Sequence, residues 1–64
     1  MYVNGQEVSV PGGISLSEFL EKEGYNAQRV AVEKNGTIVL RKLFETERLS
    51  DSDKLEIVSF VGGG

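Results

Sequence analysis

Sixty-four residues hold one small domain with no room for a separate catalytic one, and at this length folding buries only about 60% of the unfolded chain's surface. The chain has no Cys and no His, so neither a disulfide nor a structural zinc can brace it, and packing alone must hold the fold. Ten acidic residues against seven scattered basic ones (Lys22, Arg29, Lys34, Arg41, Lys42, Arg48, Lys54) give a net charge of −3, which argues against a nucleic-acid partner.

No apolar run approaches a membrane span, and Met1-Tyr2-Val3-Asn4 is not a basic segment followed by an apolar one. The expectation is a cytoplasmic protein with no membrane partner, a monomer on its own. Tyr2-Val3-Asn4 and Glu7-Val8-Ser9-Val10 are β-prone runs around Asn4-Gly5, a two-residue hairpin signal because both residues tolerate positive φ. Val8 and Val10 share a face while Glu7 and Ser9 point the other way, the pattern of a half-buried strand. Pro11-Gly12-Gly13 ends the run.

Two helix-start devices follow in register. Ser15 as N-cap with Glu18 at N3 makes a capping box, and Ile14 is placed to staple onto Phe19. A helix is therefore expected from Leu16 to about Glu23, with Leu16, Phe19 and Leu20 as its apolar stripe. Gly24 then stops it and Tyr25 packs back towards Leu20. At about two turns this helix cannot stand alone and must lie on a sheet.

Arg29 to Lys34 and Thr37 to Leu40 flank Asn35-Gly36, a second hairpin signal. A two-residue loop sets Lys34 opposite Thr37, Val32 opposite Val39 and Val30 opposite Arg41. Val30, Val32 and Val39 then share one face, and Ala31, Ile38 and Leu40 the other. Arg41 to Leu49 has no clear period; it reads as an irregular connector with a single helical turn, anchored by Leu43, Phe44 and Leu49. Glu45, Glu47, Asp51 and Asp53 read as a solvated face rather than a metal site, and Asp51-Ser52-Asp53 as a polar turn.

Leu55-Glu56-Ile57-Val58-Ser59-Phe60-Val61 is rich in β-branched and aromatic residues, with Leu55 and Ile57 on one face and Val58 and Phe60 on the other. If the helix covers the first pair, the second is open. It serves either as a partner interface, together with Val61, or as a second small core under the connector. The strand runs into Gly62-Gly63-Gly64, which have no side chains to pack and lose the most backbone entropy on ordering. We therefore expect a domain over 1–61 and a flexible tail over 62–64 that can thread a narrow channel in another protein.

The order of elements is hairpin, helix, hairpin, connector, strand. A last strand that must join two hairpins sits most economically between them, beside the first strand. The fold class expected is α+β: a β-grasp (ubiquitin-like) mixed sheet of about five strands on one helix. In the Val3-Asn4-Gly5 hairpin, the Val32-Glu33-Lys34-Asn35-Gly36 turn and the stretch from Asp51 to Gly64, the chain resembles the β-grasp sulfur carriers, and among them the ThiS-type carriers of thiamine biosynthesis. It departs from them at Ser52, where such carriers often have Gly.

The resemblance implies a chemistry centred on the end of the chain. A ThiF-type adenylating enzyme uses ATP to adenylate the carboxylate of Gly64, and sulfur from a donor such as a cysteine desulfurase replaces AMP to give a thiocarboxylate. A thiazole synthase of the ThiG type then takes the sulfur. On this reading the chain binds no cofactor or metal and is not an enzyme but a co-substrate of its partners, with Gly62, Gly63 and Gly64 as the reactive end. The residues alone agree on one point: a carboxylate is a poor electrophile that needs activation, and this chain has no His, no Cys and no phosphate loop to supply it. Two other readings stay open, a sulfur carrier for molybdopterin and a ubiquitin-like modifier or non-catalytic β-grasp binding module.

Overall fold

The structure, a computed structural model, describes residues 1–60. The expectations for Val61, Gly62, Gly63 and Gly64 therefore lie outside the described residues. Five strands, β1 (Tyr2–Val3), β2 (Gln6–Glu7), β3 (Val30–Lys34), β4 (Thr37–Val39) and β5 (Lys54–Ser59), form one mixed sheet in the order β2-β1-β5-β3-β4. β5 enters between the hairpins, parallel to β1 and antiparallel to β3. This is the expected β-grasp plan.

Both hairpins turn on their Asn-Gly pairs. Asn4 and Asn35 have φ of 52° and 53°, and Gly5 and Gly36 have 85° and 84°, the double left-handed conformation that tight hairpins of right-twisted strands require. In the second hairpin Lys34 faces Thr37 and Val32 faces Val39, as the loop length dictates, but β4 ends at Val39 and no Val30–Arg41 pair forms. The first hairpin is shorter than its β-propensity suggests. β2 stops at Glu7, and Val8 gives its N–H to the Met1 carbonyl at 2.8 Å. Val8 and Val10 then leave the ladder yet still pack half-buried against the core.

The α-helix, α1 (Leu16–Lys22), carries both caps. Ser15 Oγ accepts the Glu18 N–H at 3.0 Å, and Glu18 Oε1 accepts the Ser15 N–H at 3.4 Å. At the other end Gly24 sits at φ 84°, donating to the Glu21 carbonyl while Tyr25 donates to that of Leu20, a Schellman stop. A 3-10 turn at Ala27–Arg29 leads into β3.

The connector opens with the single expected turn, a 3-10 turn at Arg41–Leu43, and then closes the helix N-terminus from outside. The Leu16 N–H donates to the Glu47 carbonyl and the Ser17 N–H to that of Phe44, each at 2.8 Å. With Ser15 taking the Glu18 and Phe19 N–H groups, all four first-turn donors are satisfied. Of the expected anchors, Phe44 and Leu49 are buried, whereas Leu43 is not: it lies 42% exposed. Phe44 and Leu49 pack on the helix side of the sheet with Leu16, Phe19, Leu20, Val30, Val32, Leu55 and Ile57, and with Met1 and Val3. The connector thus packs on the helix side, and among the described residues the opposite face of the sheet is left uncovered.

Candidate functional site: the open face and the end of the last strand

β5 is the central strand, and its alternation decides what the sheet offers. Leu55 and Ile57 are buried under α1, while Val58 is 59% and Phe60 53% exposed. Ala31 lies directly opposite Val58 in the register, and Ile38 and Leu40 continue the open face onto the second hairpin at 68% and 54% exposure. A shallow groove runs beside Phe60, bordered by Ala31, Ile38, Leu40 and Arg41. Large apolar side chains thus stand exposed on one face, next to the end of the central strand, which makes that face a candidate contact surface. A second small core under the connector is excluded, because the connector packs on the other face. Ile38 and Leu40 belong to this surface too; their alternation in the sequence placed them on it, but the sequence reading did not name them as interface.

The end of β5 is held unevenly. On the β3 side pairing continues to the last described residue, where the Phe60 N–H donates to the Arg29 carbonyl at 2.7 Å. On the β1 side the backbone ladder stops at Val3–Leu55, after which the Asn4 N–H reaches the Leu55 carbonyl at 2.9 Å. The Asn4 side chain then takes the Ile57 N–H on Oδ1 at 2.7 Å and donates Nδ2–H to the Ile57 carbonyl at 3.1 Å.

The shifted titratable groups sit at the other end of the sheet. Asp53 is buried rather than solvated. Burial works to raise its pKa, but hydrogen bonds from Asn35 Nδ2 at 2.9 Å and the Ser50 N–H at 2.8 Å, together with the Lys34 charge, outweigh it and hold the carboxyl below its ordinary value. Lys34 Nζ donates to Glu47 Oε2 at 2.7 Å and to the Arg48 carbonyl at 2.8 Å, with Asp53 Oδ2 at 3.7 Å. The Glu47 hydrogen bond, against a smaller desolvation cost, raises the Lys34 pKa. These groups are saturated by one another, and they tie the second hairpin to the connector and the start of β5. They are structural, not a proton-transfer pair. The expected solvated face is corrected here for Glu47 and Asp53; Asp51 and Glu45 are exposed as expected. Ser52 is not among the positive-φ residues, so the turn before β5 accepts a serine without strain.

Among the described residues no group of His, Cys, Asp and Glu could hold a metal ion, and no helix is long and apolar enough to cross a membrane. What the described domain offers is an apolar face beside the strand that leads to the glycines.

Comparison with known proteins agrees with the fold. The crystal structure of a thiamine biosynthesis protein (ThiS) from Geobacter metallireducens superposes with a TM-score of 0.82 at 32% identity, over 98% of this chain and 96% of that one. The uncharacterized protein ycf40 of Pyropia yezoensis is 40% identical over 62 residues, 97% of this chain and 87% of the relative. A thiazole synthase of Paramagnetospirillum magneticum is 36% identical over 64 residues, which span all of this chain but 20% of that protein. The sequence model of the ThiS family matches residues 1–64. The chain belongs to the ThiS family of small sulfur carriers in thiamine biosynthesis.

Proposed function

We propose that this chain carries sulfur as a thiocarboxylate on Gly64 and gives it up to the thiazole of thiamine. The observation behind this reading is the central strand, whose open side exposes Val58 and Phe60 immediately before Val61 and the three glycines. A partner gains little affinity from glycine, so the apolar face supplies the grip and the tail supplies the reactive atom. The Gly64 carboxylate attacks the α-phosphate of ATP in a ThiF-type adenylating enzyme, forming an acyl adenylate and releasing pyrophosphate. The terminal sulfur of a persulfide, held by a donor such as a cysteine desulfurase, adds to the acyl carbon; AMP leaves with the C–O bond electrons, and a thiol reductant then supplies two electrons to cleave the S–S bond of the resulting acyl disulfide. The product is a thiocarboxylate.

Thiazole is favoured over molybdopterin as the destination because a thiazole synthase carries a region resembling the whole of this chain, which suits a carrier that delivers to that enzyme. On this reading the carrier binds no cofactor of its own, and ATP is bound by the adenylating partner.

Intact-mass spectrometry tests the proposal. The chain is incubated with ATP, a ThiF-type enzyme and a sulfur donor, beside a variant lacking Gly64. Replacement of one oxygen by one sulfur in the parent and not in the variant is the expected result. Covalent adducts to lysines of other proteins would assign the chain as a modifier instead, and no mass change would overturn the carrier reading.

A further inference from the structure

The two edges of β5 end at different places, and the difference falls beside the tail. In a strand, successive N–H and C=O pairs point to alternate sides. The Phe60 N–H is spent on Arg29, on the β3 side. The Ile57 N–H and C=O are spent on the Asn4 side chain, on the β1 side. Ser59 has the parity of Ile57, so its N–H and C=O face the β1 side as well. There the first hairpin has already turned away at Asn4-Gly5, and Ser59, itself exposed, has no backbone hydrogen-bond partner among the described residues on that side.

We infer that this notch is a strand-addition site: an extended segment of the adenylating partner pairs with the Ser59 N–H and C=O, continuing the place in the sheet that β1 vacates. The inference rests on the proposed function and adds to it the backbone geometry of the docked state. Three features favour an extended segment over a side-chain contact. A donor and an acceptor are presented together at strand spacing. Among the described residues no strand pairs with either group on that side, so the edge is not closed by the domain's own ladder. The site adjoins the Val58 and Phe60 side chains, so one partner segment reads backbone and apolar face together.

The Ser59 amide itself is the measurement. Per-residue hydrogen exchange is followed in the parent chain, alone and with a purified ThiF-type enzyme. The expected result is fast exchange at Ser59 in the isolated chain and at least tenfold slowing in the complex, with Phe60 slow in both. A complex in which Ser59 exchanges as fast as in the isolated chain overturns the inference and leaves the proposed function standing. Absence of any complex overturns both.

Ser59→Pro gives an independent reading, because proline removes this one donor and is tolerated where an N–H faces solvent at a strand edge. Binding should weaken at least tenfold with the melting temperature retained, whereas Ser59→Ala, which keeps the backbone donor, should bind as the parent does. Parental affinity for Ser59→Pro would overturn the inference. Should that variant unfold because proline fixes φ within β5, the exchange rate of Ser59 in the parent complex decides instead, and unchanged exchange there overturns the inference.

Discussion

The Asn4 side chain pairs with both backbone groups of Ile57, fifty-three residues away, taking its N–H at 2.7 Å and donating to its carbonyl at 3.1 Å. A side-chain amide has the donor and acceptor of a peptide group, and here it stands in for the next residue of β1. Asn35 does the same at the other hairpin: its Oδ1 accepts the Lys54 N–H at 3.0 Å and its backbone N–H donates to the Lys54 carbonyl at 2.8 Å. Each asparagine thus serves twice, adopting positive φ for its turn and fastening the central strand.

Replacing Asn4 by Gly keeps the turn conformation and removes only the two side-chain bonds. The expected cost is about 1–3 kcal/mol, since the Ile57 groups are left without their partner. Asn4→Ala should cost more, by about 1 kcal/mol, because a Cβ disfavours the left-handed region. Urea denaturation of the three proteins checks both steps. Equal stability of Asn4→Gly and the parent would show that the clamp contributes nothing.

What could be read from the sequence was what neighbouring residues determine. The Asn-Gly turns, the Ser15–Glu18 box and the Gly24 stop are complete within four or five residues, and the alternation along β5 placed Leu55, Ile57, Val58 and Phe60 correctly. The second use of Asn4 and Asn35 was invisible, because their partners on β5 lie far along the chain. Asp53 looked solvated for the same reason: Asn35 and Lys34, which make its burial tolerable, are nearly twenty residues away. The stretch from Arg41 to Leu49 lacked a period because its backbone caps α1 instead of forming a ladder. Spacing alone could not tell Leu43 from Phe44.

The core assignment separates adjacent residues sharply. Leu20 is fully buried, and Leu20→Ala should lose about 2–5 kcal/mol, much of the stability available at roughly 0.05–0.15 kcal/mol per residue. Phe44→Ala should lose about 3–5 kcal/mol. Leu43→Ala, at a position 42% exposed, should stay within about 0.5 kcal/mol of the parent. Thermal melts of the three variants suffice. A Leu43→Ala protein less stable than Phe44→Ala would reverse the packing of the connector.

Acid should loosen the junction between the second hairpin and β5. Asp53 has a folded pKa below its unfolded value near 4, so its contribution is complete above about pH 4 and is lost as pH falls through the folded value. Lys34 runs the other way. Its raised pKa stabilises below about pH 10.4, and that contribution is lost at higher pH still. Asp53→Asn should therefore be less stable than the parent at pH 7, with the difference shrinking from pH 4 towards pH 2. Urea midpoints across that range measure it, and a gap that stays constant down to pH 2 would remove Asp53 from the acid transition.

Face and tail make separable contributions to the proposed chemistry, and two substitutions pull them apart. Phe60 is 53% exposed and its backbone N–H bond to Arg29 survives truncation of the side chain, so Phe60→Ala should leave the fold intact. An aromatic anchor at an interface is worth about 2 kcal/mol or more, which converts to a loss of roughly 30-fold or more in affinity for the adenylating enzyme. Gly63→Val should act the other way. The apolar face is untouched, so docking is retained, but a branched side chain next to the reactive end obstructs a channel that admits glycine, and adenylation of Gly64 stops. Calorimetry for binding and pyrophosphate exchange for adenylation score both variants with one enzyme preparation. If Phe60→Ala unfolds, the open face is misassigned; if Gly63→Val is adenylated at the parental rate, the glycines are not what the enzyme reads, and the apolar face must be serving some other contact.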